Sequence, residues 1–154
     1  MRRSERKNLD PDLGMLTARL LFTVQRELTA ALPERGHADL KPKHGAILAH
    51  LDAEGSRATD LARFSGQHKQ VIGTLVDELV ELGYVRREPD PADRRAKLIV
   101  PTDRGLAEMR ASDSIIERIE GHYAEAIGAA EFDLFKATLR RIVETPTPGS
   151  AKAE

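Results

Sequence analysis

The run Asp90-Pro91-Ala92-Asp93-Arg94-Arg95-Ala96-Lys97-Leu98-Ile99-Val100-Pro101-Thr102-Asp103-Arg104-Gly105 admits few folds. Residues 84–88 and 97–100 are short runs of β-forming composition. Pro89, Asp90 and Pro91 between them are expected to keep the connection irregular and exposed, so the pair reads as a hairpin with a charged tip. Thr102 then offers an N-cap and Asp103 a first-turn acid, so a long helix starts directly behind the second strand.

Upstream, the spacing is equally restrictive. Residues 58–64 read as a short helix with Thr59 as N-cap, Ser65-Gly66 as a turn, and residues 69–82 as a longer helix closed by Gly83. Counted from Ala58, the residues Ala62, Gly66, Ile72 and Leu75 stand at positions 5, 9, 15 and 18. Two closely crossing helices need a small residue at the first of these, tolerance of a left-handed backbone at the second, and apolar plugs at the other two. The segment is therefore a helix-turn-helix, and the hairpin behind it makes it a winged one. Two positions depart from the pattern. Gln67 stands where an apolar residue commonly follows the turn glycine, and His68 where Ser or Thr commonly caps the second helix, so a looser turn is expected.

On these residues, 58–105, the chain resembles the MarR family of bacterial transcription regulators, whose wing carries a comparable Asp-x-x-Asp-Arg-Arg run followed by a Thr-x-x-Gly helix start. The resemblance implies a repressor on double-stranded DNA, a homodimer joined through its N-terminal and C-terminal helices, and release from a pseudo-palindromic operator by a small aromatic or anionic ligand. It implies a groove-entering role for Arg94, with Asp93 and Arg95 supporting the wing. The residue chemistry agrees, since the early positions of the second helix are His68, Lys69, Gln70, Gly73 and Thr74. Gln pairs bidentately with adenine, Lys donates to guanine or phosphate, and the Thr methyl meets that of thymine. An Arg at a hairpin tip suits a narrow minor groove, although a solvated charge is the ordinary fate of a loop Arg. Asp90, Asp93 and Arg95 are expected to stiffen the tip through local ion pairs. Phe22, Arg26, His44 and Ile47 are the candidate contacts of a ligand lying between the dimer region and the winged helix.

Charge does not announce this function. The formal net charge is −1, and over residues 57–104 nine Lys/Arg meet eight Asp/Glu. A DNA-binding face must therefore come from sorting charges in space. The composition is otherwise helical in character: 32% charged, 40% apolar and only 4% aromatic, which leaves Leu, Ile, Val and Ala to build a mainly α fold with a small β-wing.

Apolar residues at Leu9, Leu13, Leu16, Leu20, Val24 and Leu28 recur in steps of three and four, predicting a helix over residues 10–32 that Pro33 and Gly36 end. A second helix is expected from Pro42 to before Gly55. The helix after Thr102 carries Leu106, Met109, Ile116, Ile119, Tyr123 and Ile127, and a last one carries Phe132, Phe135, Leu139, Ile142 and Val143. The expected organisation is a flexible lead over 1–9, one domain over 10–144, and a disordered tail over 145–154. Within the domain, 10–36 and 106–144 supply dimerisation helices around a winged-helix region at 42–105. There are too many apolar stripes for one core of this size, which fits an intertwined dimer.

Other functions find little support. With no cysteine, thiol redox sensing and thiolate metal sites are excluded. The histidines at 37, 44, 50, 68 and 122 contain no pair one helical turn apart, so no metal or cofactor is assigned and a zinc-responsive regulator is an alternative only. No phosphate-cradling glycine loop or nucleophile motif suggests an enzyme. The first residues lack the apolar core of a signal peptide, and residues 16–24 are too short to span a bilayer, so a cytoplasmic location and no membrane partner are expected. A winged helix used only for protein contacts is the remaining alternative, and salt-dependent DNA affinity separates it from a DNA reader.

Overall fold

The computed structural model describes residues 1–147 and 149, in two units, Met1–Ile116 and Glu117–Glu154. In the first unit the expected flexible lead is corrected: α1 (Arg3–Leu9) is a short helix. The Glu5 carboxylate accepts the Arg2 backbone N–H at 2.7 Å, and acid at the start with Arg6 and Lys7 at the end complement the helix dipole. Pro11 and Asp12 separate it from α2 (Leu13–Ala31), whose N-cap Asp12 accepts the Met15 N–H at 3.0 Å. The single start expected at residue 10 is thus a break between two helices.

Pro42 opens a 3₁₀ turn (Pro42–His44) that runs into α3 (Gly45–Leu48). This helix stops well before Gly55 because Asp52 belongs to a turn: its N–H goes to Ser56 Oγ at 3.0 Å and its carbonyl accepts Gly55 N–H at 2.9 Å. Leu51 is still buried, but from outside the helix. The next two residues form a strand that sequence patterning did not reveal, β1 (Ser56–Arg57). Its extended backbone makes Arg57 the N-cap residue of α4 (Ala58–Ser65), with no side-chain cap, so Thr59 lies inside the helix and not at its cap.

Gly66 takes φ +70°, the left-handed backbone required of the turn, and α5 (Lys69–Glu81) follows with Ile72, Leu75, Val76 and Leu79 buried. His68 supplies no side-chain cap there, in keeping with the departure noted in the sequence. The hairpin is tighter than expected. Strand β2 (Val85–Asp90) includes Pro89 and Asp90, β3 (Asp93–Pro101) starts three residues later, and a register shift at Pro89/Asp90 absorbs the proline. The antiparallel sheet has the order β1-β3-β2, with Ser56 opposite Ile99 and Arg87 opposite Ile99 on the other side.

The long helix α6 (Asp103–Ile127) begins as its Thr102-x-x-Gly105 start requires. Thr102 Oγ1 accepts the Gly105 N–H at 3.2 Å and donates to the Gly83 carbonyl at 2.6 Å, and a Cβ at residue 105 would run into the Tyr84 carbonyl oxygen. Strand β2, the end of α5 and the start of α6 are thereby pinned at one point. Ile47, Leu61, Ile72, Leu79, Tyr84, Val85 and Ile115 form the inaccessible centre of this unit.

In the second unit the end of α6 is followed by Gly128, at φ +99°, and α7 (Ala129–Glu144). Phe132 is buried there, its ring 6.2 Å from those of both Tyr123 and Phe135, and Lys136 Nζ meets Glu120 at 2.8 Å. Of the five apolar residues that marked α7 in the sequence, only Phe132 is buried. Most of the tail expected to be disordered, Pro148 and residues 150–154, lies outside the described residues.

Candidate nucleic-acid interface and the adjoining cavity

The helix-turn-helix presents His68, Lys69, Gln70 and Thr74 to solvent, with Gly73 half-buried among them. Thr74 Oγ1 donates to the Gln70 carbonyl at 3.2 Å, which occupies its hydroxyl. Lys69 and Gly73 border a cleft of about 300 Å³ between α5 and the sheet, shared with Thr59, Arg57, Arg87 and Lys97. Sequence reasoning missed these last four. The alternation of β3, which puts Lys97 and Ile99 on one face, was the available signal for Lys97.

Charge sorting is resolved in this unit. Of the acids in residues 57–104, Asp60, Asp77, Glu78, Glu88 and Asp90 are each held by a cation: Arg63, Arg87, Lys43, Arg86 and Arg57. Among the described residues, Lys69, Arg94, Arg95 and Lys97 enter no ion pair. A near-neutral segment thus leaves four unneutralised cations on α5 and the hairpin, with Glu81, Asp93 and Asp103 the acids of the segment that enter no ion pair among the described residues.

The stiffening of the tip is not the one read from the sequence. Asp90 pairs with Arg57 of β1, whose Nε donates to Oδ2 at 2.7 Å, and not with Arg95. Asp90 also accepts the Ala92 N–H at 2.9 Å, and this bond together with Arg57 holds its carboxyl below the usual carboxylate range. Asp93 accepts only the Arg95 backbone N–H at 3.1 Å, so the side chains of Arg94 and Arg95 stay exposed and uncommitted. The expected Asp90–Asp93–Arg95 network is replaced by a longer-range brace, because the two-residue strand β1 brings Arg57 alongside the hairpin.

At the far end of α5, Arg104 donates to Asp39 at 3.0 and 3.1 Å and to the Leu82 carbonyl at 2.6 Å, with its guanidinium 4.2 Å above the Tyr84 ring. Tyr84 Oη donates to Asp39 at 2.7 Å, which leaves His37 Nδ1 to donate to the phenol oxygen at 3.1 Å. The hydrogen bond from Tyr84 and the Arg104 contact hold Asp39 below the ordinary range, while burial pushes Tyr84 up.

Behind the helix-turn-helix lies a cavity of about 800 Å³ bounded by α2, the 3₁₀ turn with α3, α5 and the first half of α6. Leu28, Leu32, Leu48, Leu75 and Ile116 give it an apolar wall. Of the four residues expected around a ligand, only His44 lines it. Phe22 and Arg26 fall on the exposed side of α2, since a helix with a broad apolar surface has more than one face to turn inward, and Ile47 is sealed in the core. His44 Nδ1 accepts the Lys41 N–H at 3.0 Å and its Nε2 donates to Glu78 of α5 at 2.9 Å. Lys43 donates to the same carboxylate at 2.7 Å, and the two together hold Glu78 below the usual range. Among the described residues no three His, Asp or Glu side chains gather as a metal cage, and no helix is long and apolar enough to cross a membrane.

A helix-turn-helix backed by a braced hairpin, with free cations on both elements and a cavity behind the helices, defines a winged-helix DNA-binding regulator. A sequence model of the MarR family matches residues 38–96. A MarR-family transcriptional regulator from Rhodococcus sp. RHA1 is 30% identical in sequence and superposes with a TM-score of 0.71 over 88% of this chain and 95% of that one. CouR from Rhodococcus jostii RHA1, in a crystal structure with p-coumaroyl-CoA, is 30% identical with a TM-score of 0.73, over 90% of this chain and 96% of its own. The transcriptional repressor CouR has also been solved on a 23-mer DNA duplex, at 25% identity and a TM-score of 0.72 over 88% of this chain and 95% of that one. The transcriptional regulator HosA of Escherichia coli is 25% identical over 105 residues, 68% of this chain and 78% of its own length. The chain belongs to the MarR family of transcription regulators.

Proposed function

We propose that this regulator is a homodimeric repressor that binds a pseudo-palindromic operator and leaves it when a small molecule occupies the cavity behind the helix-turn-helix. The observation that carries the reading is the set of unpaired cations, Lys69 on α5 and Arg94, Arg95 and Lys97 on the hairpin, on elements of the right shape for a major and an adjacent minor groove. Gln70 and Thr74 read base edges, Lys69 and Lys97 take phosphate, Arg94 enters the minor groove, and Arg57 keeps the hairpin in place through Asp90.

Dimerisation is supported by the terminal helices. All nineteen residues of α2 escape full burial, and Leu13, Leu16, Leu21 and Phe22 are more than half exposed. On α7, Leu134 and Val143 are 67% and 77% exposed. Exposed apolar side chains in this number on each of the two helices support a contact with another chain. We assign 10–36 and 106–144 to that contact and 42–105 to DNA. The cavity matches the size range of ligand sites, and the His44–Glu78 hydrogen bond ties its wall to α5. A ligand that displaces His44 shifts α5 from its DNA-competent position. The protein then acts by binding alone, in the cytoplasm.

The test is DNA affinity as a function of salt on operator fragments recovered from the genome. The expected result is a dimer on two half-sites about one helical turn apart, with affinity falling steeply with salt. Salt-insensitive binding, or a monomer with full affinity for a single half-site, overturns the reading.

A further inference from the structure

Glu108 is the least expected residue of the cavity wall. It sits on α6 at 3% exposure, Ser112 Oγ donates to its Oε1 at 2.5 Å, and its Oε2 is buried with no hydrogen-bond partner. A buried acceptor without a donor is unfavourable, and more so when ionised, so an intact fold rarely keeps one that nothing will meet. Asp113, one turn along, lines the same cavity and adds a second acid to this wall. The cations across the cavity do not answer it: Lys43 is committed to Glu78, and Lys41 comes within ion-pair distance of no acid. The rest of the lining mixes polar side chains, Gln25, Thr29, His44, His50, Ser65 and Gln67, with an apolar wall that includes Leu28, Leu32, Leu48 and Met109.

We infer that the cavity selects a lipophilic amine, whose protonated nitrogen donates to Glu108 Oε2 while its apolar body lies against the leucines. The inference rests on the reading of this cavity as the ligand site and names the chemistry that site prefers. An alkylammonium brings both donors and the positive charge that two acids on one wall lack. A carboxylate head placed there adds a third negative charge and leaves Oε2 unmet. Burial pushes the Glu108 carboxyl above its ordinary range, the Ser112 hydroxyl draws it partly back, and Asp113 adds to the rise. An ammonium neighbour reverses that rise and keeps the carboxylate ionised.

The experiment compares naphthylethylamine, naphthylethanol and naphthylacetic acid, which share one apolar body, by calorimetry on the free protein and by release of operator DNA. The amine is expected to bind about ten- to a hundredfold tighter than the other two, the factor carried by one charge-assisted hydrogen bond. Glu108→Gln is expected to abolish that preference while leaving alcohol binding within about twofold. Glu108→Met provides a second variant without a polar head. Thermal denaturation with and without the amine reads each variant's fold separately from its binding. If all three compounds bind alike, or the acid binds best, and Leu28→Trp blocks them, the cavity is the ligand site and the amine assignment falls. If none binds, the amine assignment falls. If, besides, Leu28→Trp releases DNA no differently from the wild type with any ligand found by screening, the cavity reading falls with it.

Discussion

The helix-turn-helix region and the terminal helices are built from the same aliphatic residues and use them in opposite ways. In residues 45–101 most large apolar side chains are consumed by the chain itself, Ile47, Leu61, Ile72, Leu79 and Val85 among them, while Phe64, Val71 and Val80 stay exposed. On α2 and α7 large apolar side chains remain at the surface, with Leu16, Leu21, Phe22, Phe135 and Ile142 at 41–65% exposure. An amphipathic stripe records that a helix wants to bury a face, and it carries no information about whether the covering surface lies in the same chain. On the proposed function, the DNA-reading part is stabilised within one subunit, whereas the part that spaces two such readers depends on a second.

Substitutions can break that comparison. The largest effect is expected in the self-contained region, where Ile72→Ala removes a fully buried side chain at a helix crossing and costs about 2–5 kcal/mol. Chemical denaturation at several protein concentrations checks it, and a loss that shrank as protein concentration rose would show that this core also leans on a partner. Leu16→Glu combined with Phe22→Glu puts charge on the exposed face of α2. The expected result is a dimer dissociation constant raised about a hundredfold or more, roughly 3 kcal/mol, with the helix-turn-helix still folded. Sedimentation equilibrium measures it, and an unchanged dimer would place the contact elsewhere.

Smaller effects sharpen the difference between braced and free charges. Arg94→Ala is expected to weaken specific DNA binding by about 1–3 kcal/mol without altering thermal stability, since its side chain is exposed and enters no ion pair among the described residues. Arg57→Ala should cost both, because the side chain that supports the hairpin through Asp90 also borders the cleft beside α5. Fluorescence anisotropy set beside thermal melts distinguishes the two; an Arg94→Ala variant with full affinity at physiological salt would make the wing tip a solvated loop.

The smallest expected effect is one of pH. Burial holds the His37 imidazole below its ordinary value of 6.5, and the Arg104 guanidinium adds to this while Asp39 opposes it. The folded chain therefore takes up this proton less readily than the unfolded one. Its contribution to stability is whole above pH 6.5 and declines as the pH falls below that value. The carboxylates of Asp39, Glu78 and Asp90 are held low and lose their contributions only in stronger acid. Urea denaturation at about pH 7 and about pH 5 should show His37→Gln losing less stability on acidification than the wild type, by under about 1 kcal/mol. An equal loss in both would assign the acid sensitivity to other groups.

Much of the DNA-facing half could be read in the chain because its constraints are local. Ala62, Gly66, Ile72 and Leu75 must stand at set intervals for two helices to cross, Thr102 and Gly105 must stand three apart for α6 to start against Tyr84, and spacing survives in a linear sequence. The ends of elements were less legible. Pro89 and Asp90 signal a loop by composition, yet a register shift lets the strand continue through them. The two-residue strand Ser56–Arg57 is too short to show any period.

The sequence by itself determined the winged helix-turn-helix, its turn glycine, its plugs and the cations available for DNA, since these follow from backbone geometry and side-chain type over a few residues. Only the tertiary structure decided which charges are spent and which remain. Asp90 reaches back to Arg57, Glu78 to Lys43 and His44, and Asp39 forward to Arg104, so a segment of near-zero net charge leaves Lys69, Arg94, Arg95 and Lys97 unpaired on α5 and the hairpin. It also decided that His44 and Glu108 share a cavity while Phe22 and Arg26 do not line it. Pairing and enclosure depend on distances between residues remote along the chain, and those distances exist only once the chain has folded.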